Sequence, residues 1–287
     1  MADTKIASDG LPALVIKQHS LEKFHYFQRY IYQFTTALKP KPSVTTGFRG
    51  FKERNYIDLF CGTGLCILDE IDKEEKGSAL IAATIEYPFS NYYFVDANEI
   101  HLNALSERVE RLGTIQEKKF YLGNANEKVR EIIREIDTNI SVNLAIADGF
   151  GLECHWSTIE LLAHCKRMDL IILFPQGMDI NRNLFRLWVE EEANSLDLFF
   201  GTDKWREIYE DNYGMPKRCI RAFLDLYEEN LRQLGYGGKD QVCEQLITGQ
   251  DGQKLYYLIF ASRSELGRKF CKQTLAKSRS GQRRLFD

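Results

Sequence analysis

The sequence predicts a doubly wound α/β fold, an open and largely parallel sheet carrying a helical insertion and a C-terminal antiparallel hairpin. Three observations lead there. The short apolar runs "YIDLF", "NYYFVD", "KFYLGNAN", "VNLAIADGFG" and "DLIILF" alternate with stretches of helical periodicity, the order of βα units. These runs are nearly continuous, as befits strands buried on both faces. After them the chain turns wholly helical between 176 and 239, then returns with "QVCEQLIT", a "GQDGQ" turn and "KLYYLIFAS", which read as a hairpin.

Taken in order, residues 1–50 form an N-terminal helical segment. Leu21, Phe24, Phe27, Tyr30, Ile31 and Phe34 recur at spacings of three and four, one face of an amphipathic helix. Residues 51–175 form the core of the sheet. In it "DEIDKEEKG" reads as an exposed acidic excursion, and Ser78 caps a helix through about Tyr87. Leu102, Leu105, Val109 and Leu112 mark a helix that Gly113 stops, and Val129, Ile132, Ile133 and Ile136 mark the next. Ser157 to Glu160 form a capping box, with Trp156 as the apolar residue of a hydrophobic staple. The insertion, 176–239, contains a long helix that starts at Pro216 and aligns Ile220, Phe223, Leu224, Tyr227 and Leu231. Residues 240–276 complete the core and 277–287 form a flexible basic tail.

Composition narrows the class. Hydrophobic residues make up 44% and charged residues 28% of the 287, an ordinary globular balance. No apolar run approaches the ~18 residues that span a bilayer, and the first residues carry no secretory h-region, so a cytoplasmic protein is expected. None of the 7 cysteines sits in a C-x-x-C pair, which argues against a disulfide framework or a structural zinc site. No metal ligand set is expected. The net charge of −3 combines an acidic body with a basic C-terminal stretch: Arg263, Arg268, Lys269, Lys272, Lys277, Arg279, Arg283 and Arg284 face only Glu265 and Asp287. Such a stretch either tracks a phosphate backbone or is a solvated helix end.

Ligands of an open parallel sheet bind beyond the carboxyl ends of its strands. The informative residues are therefore Asp58 to Gly64, Asp96, Asn124 to Asn126 and Asp148 to Gly151. Asp96 closes the second strand, where a carboxylate can accept both hydroxyls of an adenosine ribose. Gly62 and Gly64 let the backbone approach a ligand. Each strand-end Asp taken singly also reads as a helix cap or turn former. A nicotinamide fingerprint is disfavoured, because Ile67 stands where its third glycine belongs and Asp96 follows Gly62 by 34 residues instead of about 20. The P-loop pattern is absent.

"DLFCGTG" resembles the D-x-F-x-G-x-G loop of class I S-adenosylmethionine (SAM)-dependent methyltransferases, above all those acting on DNA bases. Over nearly the whole chain, "YIDLFCGTG", "KGSALIAATIE", "YYFVDAN", "GNAN", "DGFGLECHWSTIELLA", "DLIILFPQGMDINR" and "YYLIFAS" resemble the three-Cys-motif partner proteins. That resemblance implies a Rossmann-like methyltransferase sheet and SAM as cofactor, held by Asp58, Phe60, Gly62, Thr63, Gly64, Asp96, Ala97, Asn124 and Ala125. It implies a three-Cys-motif protein as partner and DNA or RNA as substrate. By analogy with amino-methylating DNA enzymes, Asp148 accepts a hydrogen bond from the nucleophile and Phe150 stacks on a base; Phe150 packed into the core is the alternative. Two positions depart from the family pattern: Gly149 replaces a proline, and Asn124 stands where an Asp is common. A non-catalytic Rossmann-fold partner in a DNA repair or defence assembly is the other function considered. Finally, "GQRRLFD" resembles a sliding-clamp-binding peptide, with Gln282, Leu285 and Phe286 as its anchors.

Overall fold

The computed structural model describes residues 3–38, 51–115, 117–176, 180–189, 194–238 and 241–279. The clamp-like anchors Gln282, Leu285 and Phe286 lie outside them. Core strands β3 (Glu53–Asp58), β6 (Asn91–Asp96), β7 (Glu117–Leu122), β8 (Ser141–Ala147) and β9 (Met168–Phe174) run parallel, while β10 (Val242–Thr248) and β11 (Lys254–Ala261) form the expected hairpin. The order is β10-β11-β9-β8-β3-β6-β7, with β11 antiparallel to β9. Numbered by their succession, the strands run 3-2-1-4-5 as in a dinucleotide-binding sheet, but the seventh strand is slotted antiparallel between the fifth and sixth. This is the Rossmann-like class I methyltransferase sheet.

Its register is pinned by an amide ladder, fully buried at Asn55 and Asn143, that hydrophobic patterning does not reveal. Asn91 Nδ2 donates to Asn55 Oδ1 at 2.7 Å, and Asn55 Nδ2 donates to Asn143 Oδ1 at 2.9 Å. The three asparagines are paired across β6, β3 and β8. A one-residue slip would strand these amides without partners in an apolar layer, so the strand ends that bear Asp58, Asp96 and Asp148 are held in step.

Each face carries its own core. One is packed by α4 (Ala125–Glu135), α5 (Trp156–His164) and the helices that follow β9: α6 (Asn181–Val189), α7 (Ser195–Phe200), α8 (Trp205–Asp211) and α9 (Pro216–Gln233). Pro216 opens α9, whose predicted face is buried throughout. The other is packed by α1 (His19–Ala37), α2 (Ser78–Ala83), α3 (Glu99–Leu112) and α10 (Glu265–Leu275). Gly113 ends α3 in the left-handed conformation, as expected, although Leu112 at its end is exposed.

Several local expectations are corrected. The N-terminal segment is not solely helical: β1 (Thr4–Ile6) and β2 (Pro12–Ile16) precede α1. The acidic stretch is not a loose excursion, because β4 (Leu65–Leu68) and β5 (Lys73–Lys76) form a hairpin that adds to β2, making a second sheet β1-β2-β4-β5. These strands are too short to show a period, and β5, the charged one, is the edge of the sheet among the described residues. Ser78 is the first residue of α2 and not its cap, and the helix stops at Ala83. The box at Ser157 does not form; α5 is capped at His155, two residues earlier, and Glu160 accepts from the Trp156 indole at 2.9 Å. Cys243 on β10 and Cys271 on α10 pair as a disulfide, a single bridge and not the framework the spacing argued against.

The second sheet is fastened to the core by one buried arginine. Arg108 of α3 is 4% exposed, pairs with both oxygens of Asp9 at 2.7 and 2.9 Å, and donates to the carbonyls of Leu11, Pro12 and Thr63. Its hydrogen bonds, and then its charge, hold the Asp9 carboxyl below its ordinary value.

Candidate functional site

Beyond the carboxyl ends of β3, β6 and β7 lies a cavity of about 770 Å³, a size that suits a nucleoside-sized ligand. Phe60, Gly62, Asp96, Ala97, Asn124, Ala125 and Phe150 line it. Asp58, Thr63 and Gly64, expected at the cofactor, do not line it, and neither does Asp148, expected at the acceptor. Asp58 is fully buried under the loop, accepting from the Tyr56 hydroxyl at 3.0 Å and the Phe60 amide at 3.4 Å. Thr63 is likewise buried; its Oγ1 donates to the Leu65 carbonyl at 2.6 Å and accepts from the Leu14 amide at 3.2 Å. Gly64 turns at φ +75° against Leu80 and Leu105. These three build the loop, and the cavity takes what they present.

They present Gly62 and Asp96. The Gly62 amide donates to Asp96 Oδ2 at 2.9 Å, and the Asn98 amide donates to Oδ1 at 2.8 Å. The turn-forming role considered for this aspartate is therefore real, yet the amides use one lone pair per oxygen; His101 Nδ1 also stands 3.4 Å from Oδ1. Each carboxylate oxygen can accept a second bond, so a carboxylate fixed in place retains capacity for a pair of hydroxyls. Gly62 sits at φ +58°, and a Cβ there would come within 2.6 Å of Leu14 Cδ1. Gly62→Ala is thus expected to cost about 1 kcal/mol or more in stability and to weaken any ligand of this loop, checked by chemical unfolding and calorimetry together.

The far wall is built from caps. Asn124 caps α4 through its Oδ1, which accepts from the Asn126 amide at 2.9 Å. Asn126 in turn accepts from the His155 amide and the Thr158 hydroxyl and donates to the Glu153 carbonyl. One asparagine side chain thereby replaces the missing capping box of α5 and ties down the loop after β8. Sequence reading passed over Leu14, Asn98, Ile100 and His155, which also line the cavity. Ile100, 61% exposed, carried a usable signal, as an apolar residue just inside a helix that starts beside Asp96. Leu14 carried none, since it reaches the site only through the unanticipated β2–β4 pairing.

At the end of β8, Phe150 is 64% exposed, which excludes its packing into the core. It also lines a second cavity of about 580 Å³ that shares Leu14 with the first. Gly149 lies against the Phe60 ring, where a Cβ would stand 3.0 Å from Cζ; the departure from proline matches this close approach. Asp148 sits behind them, its Oδ2 2.6 Å from Lys23 Nζ.

Burial raises the Asp58 carboxyl to about 7, and neighbouring Asp148 adds to the rise against hydrogen bonds from Ser78 and Tyr56. Asp169, buried between Tyr30 and Ser262, is raised to about 6 by the same desolvation. Both folded values exceed the ordinary 3.8, so the stability they confer is complete below pH ~4 and fades as pH rises through 6 to 7, by up to about 1.4 kcal/mol per pH unit for each group. The advantage of wild type over Asp58→Asn in urea midpoints should therefore shrink between pH 4 and 7. A difference that stays flat would remove this assignment.

No family model matches the chain, and no curated protein matches it. Among solved structures, the chain is similar to the O-methyltransferase TomG from Streptomyces achromogenes, in complex with SAM, at 7% identity and TM-score 0.45, covering 84% of this chain and 80% of that one. It is similar to protein LPL1258 from Legionella pneumophila at 10% identity and TM-score 0.46, over 88% and 91%. An rRNA methylase from Streptococcus thermophilus is similar at 13% identity and TM-score 0.39, over 85% and 96%.

Proposed function

We propose that this chain is an S-adenosylmethionine-dependent methyltransferase. The observation that carries the reading is Asp96: a carboxylate held by two backbone amides, with lone pairs to spare, on the wall of a cavity floored by a glycine turn. The residues fit an adenosyl cofactor. Asp96 would hold the ribose hydroxyls, Gly62 would admit the ligand past Leu14, and Ala97, Ile100, Asn124 and Ala125 would frame the base. When bound, the cofactor supplies an electrophilic methyl group on a sulfonium. The chain itself supplies orientation: Asp148 would hold the acceptor by a hydrogen bond, and Phe150 would offer it a stacking face between the two cavities.

A nucleic-acid acceptor, with a three-Cys-motif protein as partner, is the finer reading. It is supported by the exposure of Phe150 beside Asp148 and by exposed Lys269, Lys272, Lys277 and Arg279 along and after α10. One observation favours a second acceptor class. Asp3, Asp69, Glu70 and Asp251 line the second cavity against Lys17, a balance that suits a cationic acceptor better than a polyanion. Labelled methyl transfer to DNA, RNA and basic peptides, run side by side with Asp148→Asn as control, separates the classes. Cofactor binding without transfer to any of them would support the non-catalytic partner instead. Clamp binding through Gln282, Leu285 and Phe286 is a separate proposal, tested by a pull-down in which truncation of the tail should abolish capture.

A further inference from the structure

Position 23 falls off the apolar stripe of α1, and a lysine there reads from sequence as a solvated residue. The structure turns it inward. Lys23 Nζ lies 2.6 Å from Asp148 Oδ2, and the two side chains are only 15% and 10% exposed. Lys23 follows His19 by four residues, so both project from one face of α1, and His19 lines the second cavity. The ammonium also lies 5.9 Å from the ring centroid of Tyr256 and 5.4 Å from that of Phe24.

The pair is incompletely satisfied. A buried ion pair that serves stability alone needs its remaining lone pairs hydrogen-bonded. Here Asp148 Oδ1 is buried and has no hydrogen-bond partner among the described residues, and neither has the nearby Tyr256 hydroxyl. The orphaned oxygen belongs to the strand-end residue two positions before Phe150, which lines both cavities; Asp148 itself lies behind their walls.

We propose that Lys23 is a positioning residue for methyl transfer: its ammonium grips Oδ2 of Asp148 and leaves Oδ1 to accept a hydrogen bond from the acceptor. The acceptor must then bring an N–H or O–H donor to this point, which selects an amine, amide or hydroxyl over a bare carbon or a carboxylate. This inference rests on the methyltransferase reading and adds a residue to it.

The charge balance around Asp148 explains why a cation is needed. Burial pushes the Asp148 carboxyl up, and Lys23 pulls it back through its charge and hydrogen bond. Among the described residues coupled to Asp148, Asp58 on β3, Cys66 on β4 and Tyr256 on β11 bring no cation; on α1, Glu22 faces Tyr256 and burial lowers the His19 imidazole. Without Lys23, burial acts unopposed, and Asp148 holds its proton to higher pH.

Carboxyl NMR titration of Asp148 in wild type, Lys23→Met and Lys23→Arg tests this without requiring a known acceptor. The midpoint should rise by about one pH unit or more in Lys23→Met and return in Lys23→Arg, while S-adenosylhomocysteine binding by calorimetry is unchanged in both. Lys23→Gln repeats the titration should the methionine variant fail to fold. In methyl transfer, the acidic limb of the pH profile should move upward with the midpoint, with the cofactor KM unaltered. An Asp148 midpoint or acidic limb that ignores the loss of Lys23 would overturn the proposal. Failure of wild type to bind S-adenosylhomocysteine would instead overturn the cofactor reading, a separate result.

Discussion

Asp148→Asn is expected to lower methyl transfer by about 10²–10⁴-fold, the range for losing a positioned proton acceptor, with cofactor binding preserved. The two effects separate because Asp148 does not line the cofactor cavity. Asparagine keeps the shape of the side chain but turns an anion into a neutral amide, so it can no longer draw a proton-bearing nucleophile toward the methyl group. The substitution also leaves the Lys23 ammonium, only 15% exposed, without its counterion. Breaking such a pair from one side costs about 3–5 kcal/mol, so a melting curve must first show that the variant is folded at the assay temperature. The double variant Lys23→Met with Asp148→Asn removes both charges and should recover much of that stability without recovering transfer. Full activity in folded Asp148→Asn would remove this residue from the mechanism.

The largest expected loss of stability is at Arg108. Replacing it by methionine keeps much of the aliphatic stem but strands Asp9 and the carbonyls of Leu11, Pro12 and Thr63, and about 3–5 kcal/mol should be lost. Asp9 is itself 27% exposed at its side chain, which lets water take over part of its solvation and places the effect toward the lower end. The consequence reaches the site. Arg108 binds the second sheet to the Thr63 carbonyl in the cofactor loop, and β2 of that sheet supplies Leu14 to both cavities. Arg108→Met should therefore also weaken cofactor binding, whereas a charge change on the outer edge, such as Lys73→Ala, should do neither. Urea unfolding and calorimetry on the same preparations check both parts; a loss below about 1 kcal/mol would mean the arginine is not the fastening it looks to be.

The parallel sheet was legible because its strands are long apolar runs separated by helices with clear periods, and Gly113 and Pro216 mark helix ends by backbone conformation alone. What escaped were features made by pairing between distant segments. Strands β1, β2, β4 and β5 span three to five residues each, too few to show alternation, and their sheet exists only because residues 12–16 meet 65–68 across the fold. The capping box at Ser157 had the right letters, but Asn126, from another helix, took over the job. At the site, strand-end logic placed Asp96 and Gly62 on the cavity and Phe150 at its border. It could not separate residues that build the loop, Asp58, Thr63 and Gly64, from those the loop presents, since both kinds share one short stretch. Nor could it find Lys23, whose inward turn depends on how α1 crosses the end of β8.

The central claim is that Asp96 and the Gly62 turn hold an adenosyl cofactor, and titration calorimetry with S-adenosylmethionine and S-adenosylhomocysteine tests it most directly. Wild type should bind, and Asp96→Ala should bind about ten- to a hundredfold more weakly, the worth of losing charge-assisted bonds to the ribose hydroxyls. No heat with either ligand, or equal affinity in Asp96→Ala, would contradict the account.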